Sequence, residues 1–223
     1  MDQKRLKKYA DLIIQAGINL QQNQTVVISS PIETASFARM LSEAAYDKGA
    51  REVVIDWNDE LSKKIKYMKA PSEVFDEYPE WKKAFYQFYA EGGAAYISIA
   101  AEDPELMKEV DPDRIMRAQK VANKANKKFR DRLMSNENTW NVVSVPTVSW
   151  AEKVFPSLAP EQAVESLWEA ILASVRVDTP DPVKAWQAHK KHLENAIDWL
   201  NKEAFHQLHF KNSLGTDLLI TLP

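Results

Sequence analysis

Four histidines, all late in the chain, are the first side chains to weigh for chemistry. His189 and His192 stand three residues apart, which on a helix puts both imidazoles on one face, where they could share a metal ion. No third ligand follows at a definite spacing, no glutamate makes the pair a His-Glu-x-x-His motif, and Lys190 and Lys191 would repel a cation. His206 and His209 bracket the exit of the same helix. Solvated histidines are the expectation. Cysteine is absent, so disulfides, thiolate ligands and cysteine nucleophiles drop out together, which fits a reducing, cytoplasmic setting.

Other nucleophile and phosphate motifs are also lacking. Ser29 and Ser30 close a strand-like run, yet no Gly-x-Ser-x-Gly elbow is present. The junction from Ser29 to Thr34 (SSPIET) holds no glycine, which excludes P-loop and dinucleotide fingerprints there. Asp56, Asn58, Asp59 and Glu60 fall at the carboxyl end of a second strand, where open α/β sheets take ligands. Capping of the following helix by Asn58 or Asp59 is the simpler account of them. Asp103-Pro104-Glu105 and Asp111-Pro112-Asp113 both have the acid-then-proline order of a helix start. The lysines and arginines between Lys120 and Arg132 are expected to be a solvated helix face. A net charge of -3 and a pI near 5.9 give the whole no pull toward nucleic acid or anionic membrane. No signal peptide or membrane span is visible.

These residues need elements to position them. Leu6, Tyr9, Ala10, Ile13 and Ile14 recur at helical spacing and predict a first helix over residues 3 to 19. A strand over 25 to 29, a helix around Phe37 to Ala45 closed by Lys48-Gly49, and a strand over 52 to 57 make a parallel βαβ unit. A helix over 72 to 89 follows, rich in aromatics whose spacing around Trp81, Phe85 and Phe88 suits core or interdomain packing rather than base stacking. Next come a strand over 94 to 101, a long basic helix from Pro112 to Leu133, and a fourth strand over 140 to 145. Residues 146 to 156 would carry binding groups beyond that strand's end. Trp150 there either faces a cleft or plugs the core. Pro160 opens an amphipathic helix. Asp178 to Pro182 reads as a linker, Val183 to Ala204 as a helix, and the end as a hairpin of strands 208 to 211 and 217 to 222 turning through Asn212, Ser213 and Gly215.

The fold class is therefore α/β: a mostly parallel sheet of about four strands with helices on both faces, plus a C-terminal helix and hairpin. It divides into an α/β domain over 1–178, a linker and helix over 179–206, and a hairpin over 207–223. The residues alone point to no self-sufficient active site. They leave open a small-molecule or nucleotide-binding module acting at the strands' carboxyl ends, or a protein-interaction domain.

Three stretches carry a resemblance: Val26 to Glu60 (VVISSPIETASFARMLSEAAYDKGAREVVIDWNDE), Val145 to Pro156 (VPTVSWAEKVFP) and Phe210 to Pro223 (FKNSLGTDLLITLP). Together, in this order and spacing, they are similar to the metal-dependent aminopeptidase family of aminopeptidase T, aminopeptidase S and peptidase S, a thermophilic metalloprotease-like group. The resemblance implies an N-terminal α/β domain of a dimeric enzyme that removes N-terminal residues from peptides. It also implies a catalytic domain holding two divalent metal ions, cobalt, zinc or similar, on Glu, His and Asp side chains. Those ligands lie beyond the hairpin in the family, so none transfers to this sequence and the stretch is expected to be inactive alone, its hairpin opening a missing catalytic domain. Thr147 and Trp150 are the candidate cleft-lining residues, chosen by position.

Overall fold

The computed structural model describes residues 1–222; Pro223, the last residue of the expected hairpin segment, lies outside the described residues. The chain forms two compact units, Met1–Pro182 and Val183–Pro223.

The first unit opens with α1 (Gln3–Leu12), whose N-terminus is capped by Asp2 accepting from the Lys4 amide at 2.9 Å. The helix widens into a single π-helical turn, Ile13–Gly17, and so ends two residues short of the expected limit. Strand β1 (Thr25–Pro31) leads through a 3-10 turn into α2 (Ala35–Asp47). Gly49, at φ +88°, makes the left-handed reversal that lets β2 (Glu52–Asn58) return beside β1. Then follow α3 (Glu60–Lys69), α4 (Glu80–Glu91), β3 (Ala95–Ala100), α5 (Pro112–Ala125), α6 (Lys127–Met134), β4 (Trp140–Ser144), α7 (Val148–Val154) and α8 (Pro160–Ser174).

The four strands form one parallel sheet in the order β2-β1-β3-β4, with Thr25 opposite Glu52, Val26 opposite Ala95, and Tyr96 opposite Trp140. From β1 the chain goes out to β2 on one side and comes back to β3 on the other, so the strand order reverses between β1 and β3. Helices cover both faces. On one, Tyr9 of α1, Phe37 of α2 and Trp168 of α8 pack as a ring cluster with centroids 5.3 to 6.5 Å apart. On the other, Val27, Ala90, Ala94 and Tyr96 are packed by Phe85 and Tyr89 of α4 and Phe129 and Leu133 of α6. Asn138 is buried and fully used: its amide donates to the Ala90 and Ala94 carbonyls at 3.0 and 2.9 Å and accepts from Arg132 Nε. It thereby ties the exit of α4 to the start of β3.

Three helix expectations change. The helix over 72 to 89 is cut by Pro79, which lacks the amide a helix interior needs and holds Tyr78 out of helical geometry; a 3-10 turn (Ser72–Asp76) precedes α4 instead. Trp81 and Phe88 of α4 are each 71% exposed rather than packed. The long basic helix breaks at Asn126 into α5 and α6. Of the two acid-proline starts, Asp111 caps α5 through the Asp113 amide, while Asp103 holds only a turn through the Glu105 amide. Residues 146 to 156, expected to carry binding groups beyond β4, include the short helix α7.

The second unit consists of α9 (Pro182–Glu203, starting at the last residue of the first unit) and an antiparallel hairpin of β5 (Gln207–Lys211) and β6 (Asp217–Thr221). Asn212 Oδ1 accepts from the Leu214 and Thr216 amides, and Gly215 supplies φ +94° to close the turn. The hairpin is its own two-stranded sheet. No residue of α9 is buried, and every residue of β6 is exposed. Among the described residues no helix is long and apolar enough to cross a membrane.

Candidate functional site

The side chains most able to do chemistry gather where the strand order reverses. The register sets Ser29 of β1 between Asp56 of β2 and Ser98 of β3, so by the two-residue pleat all three project from one face, the face covered by α4 and α6. Ser98 is the one exposed residue of β3, in which Ala95, Tyr96, Ile97 and Ile99 are buried. Ser29 Oγ accepts from the Asn58 amide at 2.9 Å, and the Tyr86 hydroxyl donates to Asp56 Oδ2 at 2.6 Å. Burial, then the bond to the Asp56 carboxylate, raises the Tyr86 phenol above its ordinary range, so it stays a donor.

Helix α3 starts beside this point. Asp59 caps it, accepting from the Ser62 hydroxyl and the Ser62 amide, and those bonds hold its carboxyl below the usual range. Asp59 thus acts as a cap, the simpler of the two roles weighed for it. Its neighbour Glu60 goes the other way: desolvation raises it, and Glu102 and Glu33 add to the rise, against a counteracting bond from the Asp103 amide.

Between the carboxyl ends of β1, β2 and β3, the start of α3, the 3-10 turn and the α5–α6 junction lies a cleft of about 840 Å³. Ser29, Asn58 and Ser98 form part of its lining, as do Tyr67, Tyr78, Trp81 and Phe129. The aromatic walls are braced from behind: Tyr67 stacks on Phe75 at 5.0 Å, Arg114 sits over Phe75, and Phe129 stacks on Tyr86 at 5.1 Å. Asn126, at the break between α5 and α6, borders the cleft with a buried Oδ1 that accepts no hydrogen bond.

Thr147 and Trp150 stand elsewhere, beyond the end of β4. Thr147 donates to the Ala101 carbonyl at 3.1 Å, Trp150 lies half-buried on α7, and neither lines the cleft at β1 to β3. The acidic run Asp56 to Glu60 does belong to the region. What sequence reading missed is its other wall: Tyr78, Tyr86, Ser98 and Asn126 come from segments up to 97 positions away from Ser29 and form no local motif. The one signal was positional, a serine and an acidic run at adjoining strand ends.

In the second unit, His189 packs edge-on against the Trp186 ring and His209 bonds Asp217 across the hairpin. Among the described residues no three His, Cys, Asp or Glu side chains are grouped so as to hold a metal ion. In the first unit Glu33 and Glu102 repel the Glu60 carboxylate, and no imidazole accompanies them.

A family model described as thermophilic metalloprotease (M29) matches residues 2–223. The chain is 42% identical over 206 residues to aminopeptidase 2 of Geobacillus stearothermophilus, a match covering 92% of this chain and 50% of that protein. It is 39% identical to aminopeptidase AmpS of Bacillus subtilis, across 99% of this chain and 53% of the relative. The solved structure of wild-type AmpT from Thermus thermophilus superposes with a TM-score of 0.90 at 34% identity, covering 98% of this chain and 53% of that one. The chain spans about half the length of the curated relatives it matches.

Proposed function

Because the chain belongs to the thermophilic metalloprotease (M29) family, we propose that it is the N-terminal α/β domain of a metal-dependent aminopeptidase that hydrolyses N-terminal residues from peptides. The observation that carries this reading is the match of nearly the whole chain, in sequence and in fold, to proteins named as aminopeptidases. The two divalent ions that the family implies do not fit the described residues, which offer no ligand group for them. In this reading the metal chemistry belongs to residues outside this stretch, and the α/β unit supplies a wall that receives the peptide. Thr147 and Trp150, beyond β4, are proposed to face the substrate, and the β5–β6 hairpin to open the catalytic domain. The enzyme is proposed to be a cytoplasmic homodimer.

The test is a peptidase assay with added cobalt or zinc on residues 1–223 and on a chain extended to the length of the relatives. Hydrolysis is expected only from the longer chain. Robust metal-stimulated hydrolysis by residues 1–223 would sink the assignment of the metal chemistry.

A further inference from the structure

We propose that the cleft at the reversal of strand order is a peptide-binding site, taking a side chain between its aromatic walls and a free α-carboxylate on its lysine and arginine side. This deepens the aminopeptidase reading, on which it rests for a peptide being the enzyme's natural ligand; the chemistry of the cleft stands separately.

Doubly wound sheets bind ligands outside the carboxyl ends of their strands, at the point where the strand order reverses. Ser29 and Ser98, partners in register, place hydroxyls there, and Ser98 is open to solvent between the buried Ile97 and Ile99. A volume of about 840 Å³ is within the range of small-ligand sites and suits a peptide of a few residues. Tyr67, Tyr78 and Trp81 give it apolar faces for a side chain.

The charges select the class of ligand. Four carboxylates, Asp59 and Glu60 among them, share the lining with Lys63, Lys66, Lys82 and Arg130. Lys63 and Lys66 stand one turn apart on α3, both exposed. A nucleotide would bring phosphates toward four carboxylates with no glycine-rich loop to cradle them. A zwitterionic peptide matches both signs.

Isothermal titration calorimetry on residues 1–223 tests this with three probes: the tripeptide leucyl-glycyl-phenylalanine, its C-terminal amide, and AMP. The free acid is expected to bind about tenfold more tightly than the amide, from two or three partly exposed charge pairs. The double variant Lys63→Gln, Lys66→Gln should cut the acid's advantage over the amide to about threefold or less, Lys82 and Arg130 remaining, and leave the amide unchanged. Trp81→Ala should weaken both peptides by about fivefold or more, as loss of an aromatic anchor does. Both sets of changes are at exposed positions, and unchanged melting temperatures would confirm that the variants fold. Equal affinity of acid and amide, no heat from either peptide, or saturable binding of AMP in their place would each overturn the proposal. Binding requires no hydrolysis, so the two readings fail separately. A longer enzyme that is active while this cleft binds no peptide removes the cleft alone; peptide binding with no peptidase activity in the longer enzyme removes the aminopeptidase reading alone.

Discussion

The two units of this chain are built in opposite ways. In Met1–Pro182, residues distant in sequence close on each other: Val27, Ala90 and Tyr96 share one cluster, and Tyr9, Phe37 and Trp168 another. In Val183–Pro223 the structure is made of local devices, a helix of 22 residues and a hairpin turned by Asn212 and Gly215, while Leu193, Ile197, Trp199, Leu218 and Leu219 remain exposed. Isolated hairpins are marginal in water, so exposed apolar strands gain stability only when something covers them. Packing holds the first unit; turn and cap chemistry shapes the second.

The largest expected effect separates the two directly. Leu41→Ala, in the sealed face of α2, should cost about 2–5 kcal/mol, whereas Leu219→Ala in β6 should cost no more than about 0.5 kcal/mol, both read by denaturant titration. Equal losses would break the contrast. Alkali should act next. All seven tyrosines lie in the first unit, and burial pushes the Tyr9 phenol up to about 12, against a small opposing effect of its bond to the Ser144 backbone. The folded phenol keeps its proton where the unfolded one, at its ordinary 10.0, has lost it. This contribution is therefore intact below pH 10 and lost as pH rises from 10 to 12, with Tyr86 and Tyr96 shifted in the same direction. For Tyr9 alone the gap amounts to about 2.7 kcal/mol. The part of the tyrosinate absorbance that Tyr9→Phe removes should rise together with loss of near-ultraviolet circular dichroism; its appearance in an intact fold would contradict the burial of Tyr9. The smallest effect falls in the second unit. Gly215→Ala meets no neighbour within 4 Å but must hold φ +94°, so it should cost about 1 kcal/mol. Hydrogen exchange should show that loss in the β5 and β6 amides and not in the sheet of the first unit.

The same contrast explains what could be read from sequence. The four parallel strands were legible to within about two residues, because β-branched runs flanked by turns and caps announce themselves locally. The hairpin was legible for the same reason. Helix interruptions were less so: Pro79 was hidden inside an aromatic periodicity, and Asn126 breaks a basic helix whose one proline, Pro112, sits at its start rather than at the break. Of the cleft, only Ser29 and the run from Asp56 to Glu60 had a positional signal. Tyr86 bonds Asp56 across 30 residues and Ser98 pairs with Ser29 across 69, relations that exist only once the sheet has formed. The exposure of Trp81 and Phe88 was misread because helical spacing marks a face without saying what covers it.

This α/β unit is proposed to receive peptide while the metal chemistry resides outside the described residues. Equilibrium dialysis of residues 1–223 against zinc or cobalt, followed by metal analysis of the retained protein, tests it most directly. The account predicts that no ion stays with the chain after exchange into metal-free buffer, since no group of ligands is assembled among its described residues. Retention of one or two ions per chain, lost on replacing His189 or His209, would contradict it.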